Sequence, residues 1–194
     1  MSTALFGGTF DPIHNTHLDI ARAAADCFSL TKVLFIPAAN PPHKNDPEMA
    51  SYEDRIRMAE LACRYDARFE VSRVEAPQAD ASARSYSIVT IEKLLAVESK
   101  PLSFLIGADA FAEIRNWHRW QDVVASVEFI VVTRPGAVYE KPPGAIVHEL
   151  TGIASPVSSS AIREGIASGD AGVPVPASVL DYIRARGLYR SQRG

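Results

Sequence analysis

The sequence predicts a doubly wound α/β fold, on three observations. Short apolar runs recur along the chain, helical patterns separate them, and several runs are apolar at nearly every position. Strands covered by helices on both faces need such continuous apolar character, whereas a sheet packed on one side needs only alternation. Regular alternation of strand and helix also implies a mostly parallel sheet.

Ala4-Leu5-Phe6 reads as the first strand and Val33-Leu34-Phe35-Ile36 as the second. Phe69-Glu70-Val71 reads as a short third, residues 102–106 as a fourth, and residues 129–132 as a fifth. Ile146-Val147 begins a sixth. Between them, residues 16–28 place Ile20, Ala24 and Cys27 at helical spacing, and residues 52–65, 87–98 and 119–126 behave similarly. Helices over 158–167 and 177–186 close the chain, with Gly187 placed as the last C-cap. The expectation is one Rossmann-like domain over residues 1–194, with a small C-terminal helical portion from about 155. Pro41-Pro42 and Pro142-Pro143 mark loops within it.

Composition narrows the function. With 47% hydrophobic and 22% charged residues among 194, the chain reads as a soluble globular protein. No apolar stretch approaches the ~20 residues that cross a bilayer. The N-terminus lacks the basic start and apolar middle of a signal peptide. Cys27 and Cys63 have no CxxC partner; a disulfide is possible on paper, and two reduced core thiols suit the expected cytoplasmic location. The formal charge of −3 gives no general attraction to a polyanion, which counts against nucleic acid as a partner. Any phosphate site must be local.

In such sheets ligands sit beyond the carboxyl ends of the strands. There the first strand runs into Gly7-Gly8-Thr9-Phe10-Asp11-Pro12-Ile13-His14-Asn15-Thr16-His17. Glycines let backbone N–H groups approach a phosphate, and the helix N-terminus that follows adds a positive dipole end. His14 and His17, three apart at that helix start, can project to one side and bind an α-phosphate with its developing charge. Paired histidines could also be zinc ligands, but HExxH spacing is absent and no third ligand is evident.

The element resembles the signature of the HIGH-type nucleotidyltransferases, and most closely that of bacterial nicotinate-nucleotide adenylyltransferases. The resemblance implies that Gly7, Gly8, Thr9 and Phe10 hold ATP, that Asp11 faces the mononucleotide, and that His14 and His17 are catalytic. The family reads H-x-G-H, and Thr16 stands where that glycine belongs. Thr16 reads as a helix N-cap with Asp19 three residues on. Its side chain is also expected to hinder ATP entry until the first helix shifts.

Further motifs follow in the family's order. Asn40-Pro41-Pro42-His43-Lys44 stiffens a loop after the second strand, presenting Lys44 to the triphosphate. Ser158, Ser159 and Ser160 open a helix whose hydroxyls and N–H groups suit phosphate oxygens, and Arg163 adds a planar charged fork. Both elements match family motifs, as does Arg134 in Thr133-Arg134-Pro135-Gly136, which the resemblance brings to the phosphates. Asp109, after the fourth strand, fits a ribose hydroxyl or simply caps a helix. By resemblance Ser87, Trp117 and His118 hold the mononucleotide, the aromatic stacking on its pyridine ring. Trp120 reads as helix packing.

The implied reaction is transfer of AMP from ATP to nicotinate mononucleotide in NAD biosynthesis. The acceptor phosphate is already ionised, so positioning and charge stabilisation suffice, without a covalent intermediate. Mg²⁺ is expected as a partner of ATP, with no dedicated protein metal site. Phosphopantetheine or nicotinamide mononucleotide are the alternative acceptors, and a nucleotide-binding regulatory module is the alternative class. Monomer and homo-oligomer both stay open.

Overall fold

In the computed structural model, which describes residues 2–41, 49–77, 84–98, 101–134, 136–153 and 157–190, the apolar runs are strands. They are β1 (Thr3–Gly8), β2 (Lys32–Pro37), β3 (Phe69–Val71), β4 (Leu102–Gly107), β5 (Glu128–Val132) and β6 (Val147–Leu150). All pair in parallel, in the order β3-β2-β1-β4-β5-β6. Strand order reverses between β1 and β4, the neighbours whose carboxyl ends open the ligand crevice of such a sheet.

The helices are α1 (Asn15–Cys27), α2 (Tyr52–Cys63), α3 (Ser87–Leu95), α4 (Ala108–Ala112), α5 (Trp120–Ser126), α6 (Ser159–Ser168) and α7 (Ala177–Arg186). Alternation along the strands sorts their side chains into two cores. Ala4, Phe6, Val33, Phe35 and Leu105 face one core with residues of α1, α2, α6 and α7. Leu5, Leu34, Ile36, Phe104 and Ile106 face the other with residues of α3, α4 and α5. The doubly wound prediction is correct, and its reason is visible in β1, where successive residues serve opposite layers. Among the described residues no helix is long and apolar enough to cross a membrane.

Local chemistry sets several boundaries. Ser51 caps α2 by accepting from Asp54 N at 3.1 Å, and Ser158 caps α6 by accepting from Ala161 N at 3.2 Å. Gly187 ends α7 in the left-handed region at φ +65°, as expected. Helix α4 and a 3-10 turn at Ile114–Asn116 were not predicted, being too short to show periodicity.

Two expectations need correction. The N-cap of α1 is His14, not Thr16, which lies inside the first turn. Asp19 pairs with Arg22 at 3.1 Å instead of completing a capping box. Cys27 is exposed at the end of α1, because the buried face of that helix runs through Leu18, Ala21, Ala24 and Ala25. Cys63 is buried as expected, and burial pushes its thiol up to about 12. Both cysteines are free.

Candidate active site

The exit of β1 is tightly folded. A Cβ added at Gly8 would lie 3.0 Å from the Phe10 ring, so only glycine fits without displacing that ring. Phe10 is 2% exposed and sits edge-on to Phe6 (5.6 Å between centroids) and to His17 (5.0 Å). Its ring is core, so any contact to ATP at this position comes from its backbone.

His14 and His17 come together as the sequence predicts, their rings stacked with centroids 3.7 Å apart. The His14 backbone N–H donates to His17 Nδ1 at 3.2 Å. That bond assigns the hydrogen of a neutral His17 to Nε2, making that atom a donor. Burial lowers the His14 pKa to about 4, so this ring is neutral near pH 7. Its Nδ1 is a buried polar atom with no hydrogen-bond partner among the described residues. Such an atom is costly unless a partner arrives, and two imidazoles at a helix N-terminus suit an anionic one.

Asp11 is 2% exposed, and its bonds are internal. Oδ1 accepts from Tyr189 Oη at 2.6 Å and from Ala50 N at 3.1 Å, while Arg163 Nη1 lies 3.5 Å from Oδ2. Asp11, expected to face the mononucleotide, is enclosed here; it is the hub that ties the β1 exit to Ala50 just before α2, to α6 and to the C-terminal segment. Arg163 also donates to the Asp11 carbonyl at 2.9 Å, and Ser159 Oγ to the Pro12 carbonyl at 3.1 Å. The start of α6 is thus joined to the His14–His17 element. Ser158 caps that helix and Ser160 is exposed on it. Burial, together with the Asp11 charge and hydrogen bond, raises the Tyr189 phenol well above its ordinary value.

A second cluster bridges the ends of β4 and β5. Arg134 Nη2 donates to both oxygens of Asp109, at 3.0 and 3.2 Å, and both side chains are largely exposed. A third group lines an open cavity of about 750 Å³ walled by Ser85, Tyr86, Ser87, Asn116, Trp117 and His118, among others. Trp117 is half-buried, with its ring edge-on to Phe104 at 5.9 Å, and His118 lies over Tyr86 at 4.5 Å between centroids. The residues expected to take the mononucleotide therefore share one cavity, Asp11 excepted. Trp120 packs against the same core as α3 and α5, matching its expected role. Lys44 lies outside the described residues.

Sequence reasoning missed Arg55. It is 1% exposed and donates to four carbonyls, those of Thr9 (2.8 Å), Ala38 (2.7 Å), Ala50 (3.1 Å) and Ala39 (3.5 Å). An arginine in a run of charged helical residues carries no sign of such burial. It missed as well the bracket between Asn40 and Ser85, formed by Asn40 N to Ser85 Oγ (3.1 Å) and Ser85 N to Asn40 O (3.0 Å). That bracket ties the loop after β2 to the cavity wall.

Comparison with known proteins identifies the family. The family model described as cytidylyltransferase-like matches residues 5–165. A protein of Solibacter usitatus named "Probable nicotinate-nucleotide adenylyltransferase" is 55% identical over 191 residues, covering 97% of this chain and 100% of the relative. A relative of the same name from Geobacillus thermodenitrificans is 38% identical over 95% of this chain and 84% of its own. Among solved structures, a Plasmodium falciparum nicotinic acid mononucleotide adenylyltransferase complexed with NaAD shares the fold, with a TM-score of 0.79 at 16% identity and 97% coverage of both chains. Near-complete coverage of relatives this similar makes the conclusion direct: the chain belongs to the nicotinate-nucleotide adenylyltransferases, within the cytidylyltransferase-like family.

Proposed function

We propose that the protein transfers AMP from ATP to nicotinate mononucleotide, giving nicotinate adenine dinucleotide and pyrophosphate for NAD biosynthesis. The observation that carries the reading is the stacked His14–His17 pair at the N-terminus of α1, with the His14 ring buried, together with the open aromatic cavity lined by Ser87, Trp117 and His118. An oxygen of the acceptor phosphate attacks the α-phosphorus of ATP in line, the new P–O bond forms, and pyrophosphate leaves with the electron pair of the broken one. Neutral His14 and the His17 Nε2 donor, with backbone N–H groups after β1, stabilise the charge that builds on the α-phosphoryl oxygens. Gly7, Gly8, Thr9 and the Phe10 backbone form that cradle. Ser158, Ser159, Ser160, Arg163, Arg134 and Lys44 receive the rest of the triphosphate, and Asp109 a ribose hydroxyl. Ser87, Trp117 and His118 hold the acceptor, with the pyridine ring on Trp117.

Mg²⁺ is the cofactor in this reading; entering with ATP, it would neutralise part of the triphosphate charge. Residues 1–194 act as one nucleotidyltransferase domain in the cytoplasm, on small molecules, with no nucleic acid or membrane partner. Pyrophosphate release from Mg²⁺-ATP tests the reading: release that depends on nicotinate mononucleotide supports it. Tight ATP binding with no release contradicts it and favours a nucleotide sensor.

A further inference from the structure

We propose that Arg55 is a positioning residue for adenylyl transfer, its guanidinium setting the spacing and orientation of the two strand exits that grip the triphosphate. The inference rests on the adenylyl-transfer reading and deepens its account of the ATP side. Arg55 stands in the first turns of α2 and is the largest fully buried side chain among the described residues. Among the described residues its charge is met by carbonyl oxygens and by no ion pair. A single nitrogen, Nη1, donates to Thr9 O after β1 and to Ala38 O after β2, at 2.8 and 2.7 Å. These are the shortest of its four bonds, and they join the two loops proposed to hold phosphate.

Orientation follows from the planarity of the peptide. The C=O and N–H of one trans peptide point in opposite directions. A Thr9 carbonyl turned in to Arg55 therefore directs the Phe10 N–H away from the guanidinium; the cis bond of this loop is the later Asp11-Pro12 one. The Ala50 peptides close the frame. Arg55 Nε takes the Ala50 carbonyl while the Ala50 N–H goes to Asp11, so the fork and the Asp11 hub share one residue. Only a planar fork with several fixed N–H directions meets all these carbonyls at once; an ammonium on a flexible stem does not. The acceptor wall is held separately. The Asn40–Ser85 bracket and Glu75, which accepts from Ala39 N (3.4 Å) and Thr90 Oγ1 (2.6 Å), give it hydrogen bonds that do not include Arg55.

The experiment compares the full-length wild type with Arg55→Lys and Arg55→Met. It measures steady-state pyrophosphate release from Mg²⁺-ATP and nicotinate mononucleotide, thermal melting, and acceptor binding followed by tryptophan fluorescence. Turnover is expected to fall about 100-fold in both variants, the size of effect that small misplacements of a reacting group produce. Acceptor affinity stays within about threefold, because the cavity wall has its own supports. Turnover in Arg55→Lys close to wild type overturns the proposal, as does a loss of acceptor binding that parallels the loss of turnover. An Arg55→Lys variant without a cooperative melt even in the cold assigns the residue to folding alone and overturns it too. A wild-type chain that releases no pyrophosphate contradicts the adenylyl-transfer reading itself, which the variants do not decide.

Discussion

The two parts of the candidate site are built to different standards. On the β1 side, Phe10, Asp11 and His14 are almost wholly buried, and Arg55 of α2, Tyr189 after α7, and Arg163 and Ser159 of α6 all bond to the loop. On the β4 side, Trp117 is half-buried, His118 is exposed, and Asp109 and Arg134 meet each other on the surface. The difference fits the role proposed for each part. Charge stabilisation in a transition state depends on donors fixed in advance, since reorganising them during reaction wastes their effect. Binding a flat ring needs a face and a cavity, and tolerates adjustment.

That contrast can be broken at both ends, and the largest effect belongs to the rigid side. His17→Ala should lower kcat about 10²–10³-fold, the loss typical of removing one transition-state donor. Thermal melting alongside kinetics checks that turnover falls far more than stability. A near-normal kcat removes His17 from the mechanism. On the open side, Trp117→Ala should raise the acceptor KM about tenfold while leaving kcat within a few-fold, in keeping with the ~1–3 kcal/mol of a stacked base. An equal loss in kcat would mean that this half is also preorganised.

A pH experiment probes the burial of the rigid side directly. The folded pKa of His14, about 4, lies below the unfolded value of 6.5, so protons bind the unfolded chain more readily. This contribution is fully present above 6.5 and is lost as pH falls through 6.5 towards 4. Linkage between those values makes the folded protein about 2 kcal/mol less stable at pH 5 than at pH 7 on this account. Urea unfolding of wild type and His14→Gln at both pH values isolates the term, which the variant should lack. Equal pH dependence in the two proteins would place His14 in water. Smallest is the effect expected at Thr16: Thr16→Gly should lower the ATP KM a few-fold, and an unchanged KM ends the idea that its side chain obstructs entry.

The same division explains what could be read in the sequence. The β1 exit was legible because its glycines, histidines and helix start lie within eleven consecutive residues, where spacing alone fixes geometry. The layer order was legible because strand alternation and helical period are local. Arg55 was not, since its partner Thr9 lies 46 residues away, nor was Tyr189, which reaches Asp11 across 178. Asp11 shows the limit within the motif itself: its place beside the phosphate loop was visible, but its enclosure depends on segments that arrive from the far end of the chain. Thr16 was misplaced as the N-cap because a hydroxyl is the commoner cap, and here His14 takes that position with its backbone N–H bonded to His17.

The central claim, AMP transfer to a nicotinate mononucleotide acceptor, is tested most directly by kcat/KM for nicotinate mononucleotide, nicotinamide mononucleotide and phosphopantetheine with saturating Mg²⁺-ATP. The account predicts the highest value for nicotinate mononucleotide, with nicotinate adenine dinucleotide and pyrophosphate formed in equal amounts. A higher value for either other acceptor, or no turnover with any, would contradict it.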